Sequence, residues 1–430
     1  MMTKSEREQI IALINREVIP AIGCTEPIAV ALCVAKATET LGCQPEKIKA
    51  LLSANILKNA MGVGIPGTGM IGLPIAIALG SLIGKSEYQL EVLKDSTPEA
   101  VEQGKKLIDS QAIDIALKLG IEEKLYIEVI CEANGKKATA IISGGHTHFT
   151  YIARDEEIIL NKQSVSTTSV NTDDIELTLQ KVHEFATTAP IDEIRFILET
   201  RNLNKNAAER SLKGNYGHQL GKTLNSANTN LMMGDNTFTH ILSYTSAACD
   251  ARMAGAMIPV MSNSGSGNQG ITATLPVVVY AEDNQKTEEE LIRALTLSHL
   301  TVIYIKQSLG RLSALCGCVV AATGSSCGIT YLMGGNYEQI SFAVKNMIAN
   351  ITGMICDGAK PSCALKLASG VSTAILSAVL AMENKCVTSV EGIIDDDVDQ
   401  CIRNLTLIGS KGMNETDKLV LDIMTHKQCN

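Results

Sequence analysis

The sequence predicts an α+β protein, with a large, mainly helical body and a small inserted α/β domain. Three observations predict it. Apolar residues recur at helical spacing over most of the chain, and from about residue 173 to the end with 275–280 as the main exception. Between about 86 and 162 the pattern switches to strand-like alternation with hairpin signals. Glycine is plentiful (34) and aromatic residues are scarce (3%, no tryptophan), which suits closely packed helices joined by tight loops. A length of 430 residues allows two or three average domains. The expected division places residues 1–85 and 163–430 in a discontinuous helical domain and 86–162 in the inserted one.

In order along the chain, a first helix is expected over about 4–18, stopping near Pro20. A second starts at Thr25 with Pro27 in its first turn and ends near Gly42, a glycine at the C-terminal cap. Residues 45–60 read as helix. A glycine-rich loop at 62–69 leads to an apolar helix ending near Leu82. Tyr88–Leu93 alternates like a strand, Pro98–Leu119 reads as an amphipathic helix, and Lys124–Cys131 alternates again. Asn134–Gly135 is a hairpin turn signal, followed by strands at about 137–143 and 147–153. Residues 164–172 form a polar linker. After it only 275–280 looks like a strand.

A net charge of −9 and the lack of any Lys/Arg run argue against nucleic-acid and anionic-membrane partners. The longest apolar runs, Met70–Ile83 and Val371–Met382, fall short of the roughly 20 residues that span a bilayer. The charged, amphipathic amino terminus lacks a signal peptide's apolar stretch. These features together predict a cytoplasmic protein. In that reducing compartment thirteen cysteines should not be disulfides, so ligation or catalysis is the question they raise. Cys33, Cys43, Cys131, Cys249, Cys386, Cys401 and Cys429 sit in no motif and read as small core residues.

Four constellations could carry chemistry. Cys24, in Ile22-Gly23-Cys24-Thr25-Glu26-Pro27, stands just before a helix start. The dipole and free N–H groups there predict a lowered thiol pKa. Cys356 and Cys363 are separated by six residues in a loop whose Gly358 and Pro361 let both sulfurs face one point. Cys316-Gly317-Cys318, with Cys327 further on, supplies more candidate ligands, and the paired C-x2–4-C knuckles of zinc sites are absent. Two loops, 62–69 and 265–270, match G-x-G-x-x-G without the βαβ context of a dinucleotide site. They read instead as backbone nests for a small anion such as a carboxylate, or as tight turns where helices pack. Thr68, Ser262, Asn263, Ser264, Ser266, Asn268 and Gln269 could add hydrogen bonds. Lys306 and Arg311 are cationic candidates. His218 and His240 could line a pocket, and His146 and His148 read as a solvated strand edge.

The stretches AIGCTEP (21–27), KNAMGVGIPGTG (58–69), YTSAACDARMAGA (244–256), SNSGSGNQG (262–270), GRLSALCGCV (310–319) and GMICDGAKPSCALK (353–366) together resemble the L-cysteine desulfidase family, which is similar to the α subunit of the iron–sulfur L-serine dehydratases. The resemblance implies a [4Fe–4S] cluster held by Cys316, Cys356 and Cys363, with Cys318 the alternative first ligand. It also implies Cys24 at the active site, as base or as a labile ligand. The implied activity is β-elimination of L-cysteine to sulfide, ammonia and pyruvate without pyridoxal phosphate. Thr68, Ser262, Asn263, Ser264 and Asn268 are then the expected substrate-binding residues, and the base rate for soluble enzymes favours a homodimer. The rivals are an L-serine dehydratase and a non-catalytic protein that holds zinc or a small acid.

Overall fold

Lys47-Ile48-Lys49-Ala50 alternates charged and apolar side chains, and a period of two belongs to a strand. The computed structural model describes residues 2–121, 123–162, 174–310 and 312–426. In it the strands are β1 (Pro20–Ala21), β2 (Lys47–Leu52), β3 (Ile113–Leu117), β4 (Tyr126–Ala133), β5 (Lys136–Ser143), β6 (Phe149–Arg154), β7 (Glu157–Asn161) and β8 (Val260–Met261). Thus β2 occupies part of the stretch expected as helix over 45–60. A short helix, Ala54–Ala60, follows it.

Six strands form one mixed sheet in the order β3-β2-β4-β5-β6-β7. The β2–β3 pair is parallel, and the other pairs are antiparallel. The hairpin at Asn134–Gly135 joins β4 to β5, with both turn residues at positive φ. One sheet face is apolar: Ile48, Ala50 and Leu52 of β2 and Ile127, Val129 and Cys131 of β4 are buried. The helices Thr25–Leu41 and Leu73–Leu82 belong to the same hydrophobic core, which runs from Ile28 to Ile142 and takes in Leu421. The α/β unit is therefore wider than 86–162, because its central strand β2 and two of its covering helices precede residue 86.

The remaining helices build the body around a second core. Its centre is helices Thr237–Met253, Gly267–Asp283, Glu288–Leu309, Gly317–Leu332, Tyr337–Ile351 and Cys363–Met382. Three local expectations are corrected here. Residues 275–280 are helical, inside Gly267–Asp283, because a helix buried on nearly all sides can be apolar all round and even hold Pro276. Tyr88–Leu93 overlaps a 3₁₀ helix, Ser86–Glu91, instead of forming a strand. The amphipathic helix stops at Asp109, and β3 follows it. The linker expected at 164–172 lies outside the described residues.

Among the described residues one helix, Cys363–Met382, has the length and apolar character to cross a membrane, although its apolar sequence run alone is shorter. Half of its most apolar window is buried within the protein. The fold class is α+β with a mostly helical body.

Helices Thr25–Leu41 and Leu73–Leu82 approach closely at Gly80. A Cβ added there would lie 2.6 Å from the carbonyl oxygen of Ala31 and 3.0 Å from its Cα. Neither atom can yield, since both are main chain. Gly80→Ala should therefore lose more through helix separation, about 1–3 kcal/mol, than alanine returns in helix propensity, about 1 kcal/mol. The urea midpoint should fall with an unchanged m value. A midpoint equal to or above that of the parent protein would contradict this packing.

Candidate metal centre and active site

Cys316 caps the N-terminus of the Gly317–Leu332 helix without using its side chain, and Cys363 is the first residue of the Cys363–Met382 helix. Both thiols thus sit where unpaired N–H groups and the helix dipole favour a thiolate. The Cys356 segment is fastened beside Cys316 by an antiparallel bridge between Leu315 and Ile355. Cys316 N–H donates to Met354 O at 3.0 Å, and Cys356 N–H donates to Ala314 O at 2.7 Å. From Cys356 the chain curls through Gly358, whose φ is +91°. A Cβ there would fall 2.2 Å from the carbonyl oxygen of Lys58, so both the turn and the close approach call for glycine. Lys58 is buried and pairs with Asp417 of the Asn414–Thr425 helix, which also accepts from Asn55 Nδ2 at 2.7 Å.

The three thiols line one cavity of about 120 Å³ between the sheet unit and the helical body. Cys24, Glu26 and Asn59 border it from one side, and His146 reaches it from the β5–β6 turn. Arg252, Ser264, Asn268, Gln269, Lys306, Cys318 and Lys366 complete most of the wall. Burial raises the Cys316 thiol to about 12, with Cys356 beside it adding to the rise. Cys363 is raised chiefly by burial as well. Lys366, bonded to Ile355 O at 2.9 Å and paired with Asp357, brings a positive charge to the same wall.

This donor set suits an iron–sulfur cluster. Thiolates are its usual ligands, and buried thiols give up protons to a positive metal centre. Among the described residues no three His, Cys, Asp or Glu side chains are gathered as one metal ion would require. A cluster of several irons takes each thiolate at a different iron, so it asks for sulfurs around a cavity rather than at a point.

Cys24 is buried, and its Sγ–H donates to Glu26 Oε2 at 2.9 Å. The expected lowering of its pKa is corrected: burial raises it well above the ordinary value, and the Glu26 carboxylate adds to the rise. The sulfur caps no helical N–H, so the dipole does not dominate. For Glu26, burial pushes upward, but His146, the Cys24 thiol and Arg252 outweigh it, and the carboxyl ends below its ordinary value. Glu26 also accepts from Thr25 Oγ1 (3.2 Å) and Asn59 Nδ2 (3.2 Å). The pair is therefore a thiol donating to a carboxylate.

The serine dehydratase alpha chain model matches residues 87–422. The chain belongs to the serine dehydratase alpha chain family. It is 81% identical over 431 residues to a UPF0597 protein of Phocaeicola vulgatus, covering all of both chains. It is 75% identical over 426 residues to one of Bacteroides thetaiotaomicron, covering 99% of each. A UPF0597 protein of Aeromonas hydrophila is 43% identical over 428 residues, covering 99% of this chain and 98% of its own. The serine dehydratase alpha chain family places the protein among lyase-type, iron–sulfur enzymes.

For this member of the serine dehydratase alpha chain family, the structure brings Cys24, Cys316, Cys356 and Cys363 to one cavity, along with Ser264, Asn268 and Lys306. Cys318 lines it too, with its thiol donating to Lys366 O at 3.2 Å. Three expected substrate-binding residues do not line it. Thr68 donates to Ile65 O within its own loop (2.8 Å), and Ser262 donates to Ile19 O (2.6 Å). Asn263 is fully buried against His299. The 62–69 loop is a packing turn rather than a nest, since a Cβ at Gly64 would lie 2.3 Å from the backbone of Ala254. Cys327 is buried elsewhere in its helix, and Arg311 and Cys429 lie outside the described residues. His240 bridges Asp235 and Asp283 on the surface, and His218 is exposed. Of the two strand-edge histidines, His146 belongs to the cavity wall.

The residues missed from the sequence are Glu26, Asn59, Arg252 and Lys366. Each stands inside a motif stretch, where the cysteines and glycines drew attention away from polar and charged neighbours.

Behind Ser264 runs a buried chain of hydrogen bonds. Thr274 Oγ1 donates to Gly270 O (2.7 Å), so it accepts from His299 Nε2 (2.9 Å). His299 Nδ1 then accepts from Asn263 Nδ2 (3.0 Å), and Asn263 Oδ1 accepts from Ser264 Oγ (2.8 Å). Burial pushes His299 down to about 3, which keeps it neutral. Below about pH 6.5 the unfolded chain takes up a proton that folded His299 refuses, so stability falls as pH drops. The slope approaches about 1.4 kcal/mol per pH unit and ends near the folded value of about 3. His299→Gln should remove this share of the slope. Urea midpoints of metal-free protein between about pH 6 and pH 4.5 would check it, and parallel curves for the two proteins would refute it.

Proposed function

We propose that the protein is an L-cysteine desulfidase that converts L-cysteine to sulfide, ammonia and pyruvate by [4Fe–4S]-dependent β-elimination. The observation that carries this reading is the meeting of Cys316, Cys356 and Cys363 with the Cys24–Glu26 pair around one buried cavity. Cys316, Cys356 and Cys363 would hold the cluster. Cys316 is preferred to Cys318 because the Leu315–Ile355 bridge sets it beside Cys356, while the Cys318 thiol is engaged by a backbone carbonyl. When bound, the cluster supplies a Lewis-acidic iron for the departing sulfur.

The chain's own residues do the rest. Glu26 takes the Cys24 proton, and the resulting thiolate removes the α-proton of the substrate. The freed electron pair forms the Cα–Cβ double bond, and the Cβ–S bond breaks with its pair leaving on sulfur. The 2-aminoacrylate released tautomerises and takes up water, giving pyruvate and ammonium. Ser264 and Asn268, from the 262–270 loop, line the cavity and would bind the amino-acid backbone. The described cysteines are all free, in keeping with a reducing cytoplasm, and a homodimer is the proposed assembly.

The family description favours a second reading, in which L-serine is the substrate and hydroxide leaves. Anaerobically prepared, iron-replete protein should release sulfide from L-cysteine and turn over L-serine far more slowly. The reverse order would make it a serine dehydratase. Cys24→Ala should keep the cluster's visible absorption and lose about 10²–10⁴-fold in kcat, the usual worth of a general base. Loss of the absorption would instead make Cys24 a ligand.

A further inference from the structure

Arg252 is 4% exposed, and a buried guanidinium ordinarily faces a carboxylate. Among the described residues no carboxylate lies within ion-pair distance of it. Its hydrogen-bond partners are neutral: Asn268 Oδ1 at 3.0 Å from Nη1 and Gly23 O at 3.0 Å from Nη2. These use one N–H on each terminal nitrogen and leave the second on each uncommitted. Gly267 is what lets the group lie so close to the 262–270 loop, since a Cβ there would be 2.2 Å from Arg252 Nε. The group borders the cavity as a fixed, buried cation with spare donors.

The same wall offers acceptors. Gln269 is buried, and its Oε1 has no hydrogen-bond partner. Its Nε2 faces Asn263 O at 3.5 Å, and the opposite flip would set two oxygens together, so Oε1 is the atom left over. Ser264 Oγ has its proton committed to Asn263 by the chain that starts at His299, so it has only lone pairs left to offer.

We propose that Arg252 anchors the carboxylate, and that Gln269 Oε1 and Ser264 Oγ receive the ammonium, of a free α-amino acid zwitterion. This rests on the reading of the cavity as the active site and assigns the residues that would hold its substrate's two charged groups. N-acylated amino acids, and thiols lacking either charged group, are excluded.

Ligand-observed NMR titration of the anaerobic holoprotein tests it with three probes that cannot eliminate. L-alanine carries both groups, propionate lacks the ammonium, and ethylamine lacks the carboxylate. Alanine should bind at least 10-fold more tightly than either. Arg252→Met should erase the preference for alanine over ethylamine while keeping that over propionate. Gln269→Leu should do the opposite, and it stands as the second arm if the arginine variant does not fold. Equal losses for all three probes in both variants would show merely structural roles and overturn the proposal, as would no preference in the parent protein. The alanine pattern without sulfide release from cysteine would sink the desulfidase reading alone. Sulfide release with a flat pattern would sink this inference alone.

Discussion

The bridge between Leu315 and Ile355 is the contact on which the site depends. Residues 316 and 356 are far apart in sequence, and each begins or precedes a helix that could pack in many registers. Two backbone hydrogen bonds, Cys316 N–H to Met354 O and Cys356 N–H to Ala314 O, fix the two thiols side by side. The third follows from the turn at Gly358, which is pressed on the backbone of Lys58. Lys58 is held by Asp417 from the far end of the chain. Removing one partner of such a buried pair typically costs about 3–5 kcal/mol, so the sulfur loop is anchored on something rigid rather than on a surface turn.

The electrostatics of the cavity follow from that enclosure. Burial opposes charge on the Cys316, Cys318 and Cys363 thiols, and neighbouring thiols add to that opposition. Positive side chains stand close by, with Lys366 tied to Asp357 and Lys360 tied to the same carboxylate. On the opposite wall Glu26 keeps its charge because several donors converge on it. A thiol on a carboxylate at hydrogen-bond distance is a proton pair that can work in either direction. Deep burial alone would make Cys24 inert, and the carboxylate gives its proton somewhere to go.

Much of this was legible in the sequence, and the reasons for the rest are physical. The α+β class, the helical body and the hairpin at Asn134–Gly135 came from periodicity and turn chemistry. Lys47–Leu52 was misread because a short alternating run lies between helical patterns, and only its partners β3 and β4 make it a strand. Residues 275–280 were misread for the converse reason, since β-branched residues in a helix buried all round look like a buried strand. The cysteines that line the cavity were visible as motifs. Glu26 and Arg252 were not, because a charged residue announces itself as buried only when the fold surrounds it. Thr68 and Ser262 had the right chemistry for binding but spend it on neighbouring backbone, which no spacing rule foresees.

The placement of the cavity between two cores explains why the chain is built in two parts. The family match begins at residue 87, yet Cys24, Glu26 and Asn59 come from before that point, while the three proposed cluster ligands come from after residue 315. Acid–base groups thus ride on the sheet unit, and sulfur ligands ride on the helical body. The seam between them is closed from both sides: Arg252 of the body donates to Gly23 O next to Cys24, and β1 pairs with β8 immediately before the 262–270 loop. The arginine with no carboxylate in ion-pair contact among the described residues and the glutamine oxygen without a donor sit at that seam. Unmet demand of both signs in one enclosed space is what a zwitterion can satisfy and a simple anion or cation cannot.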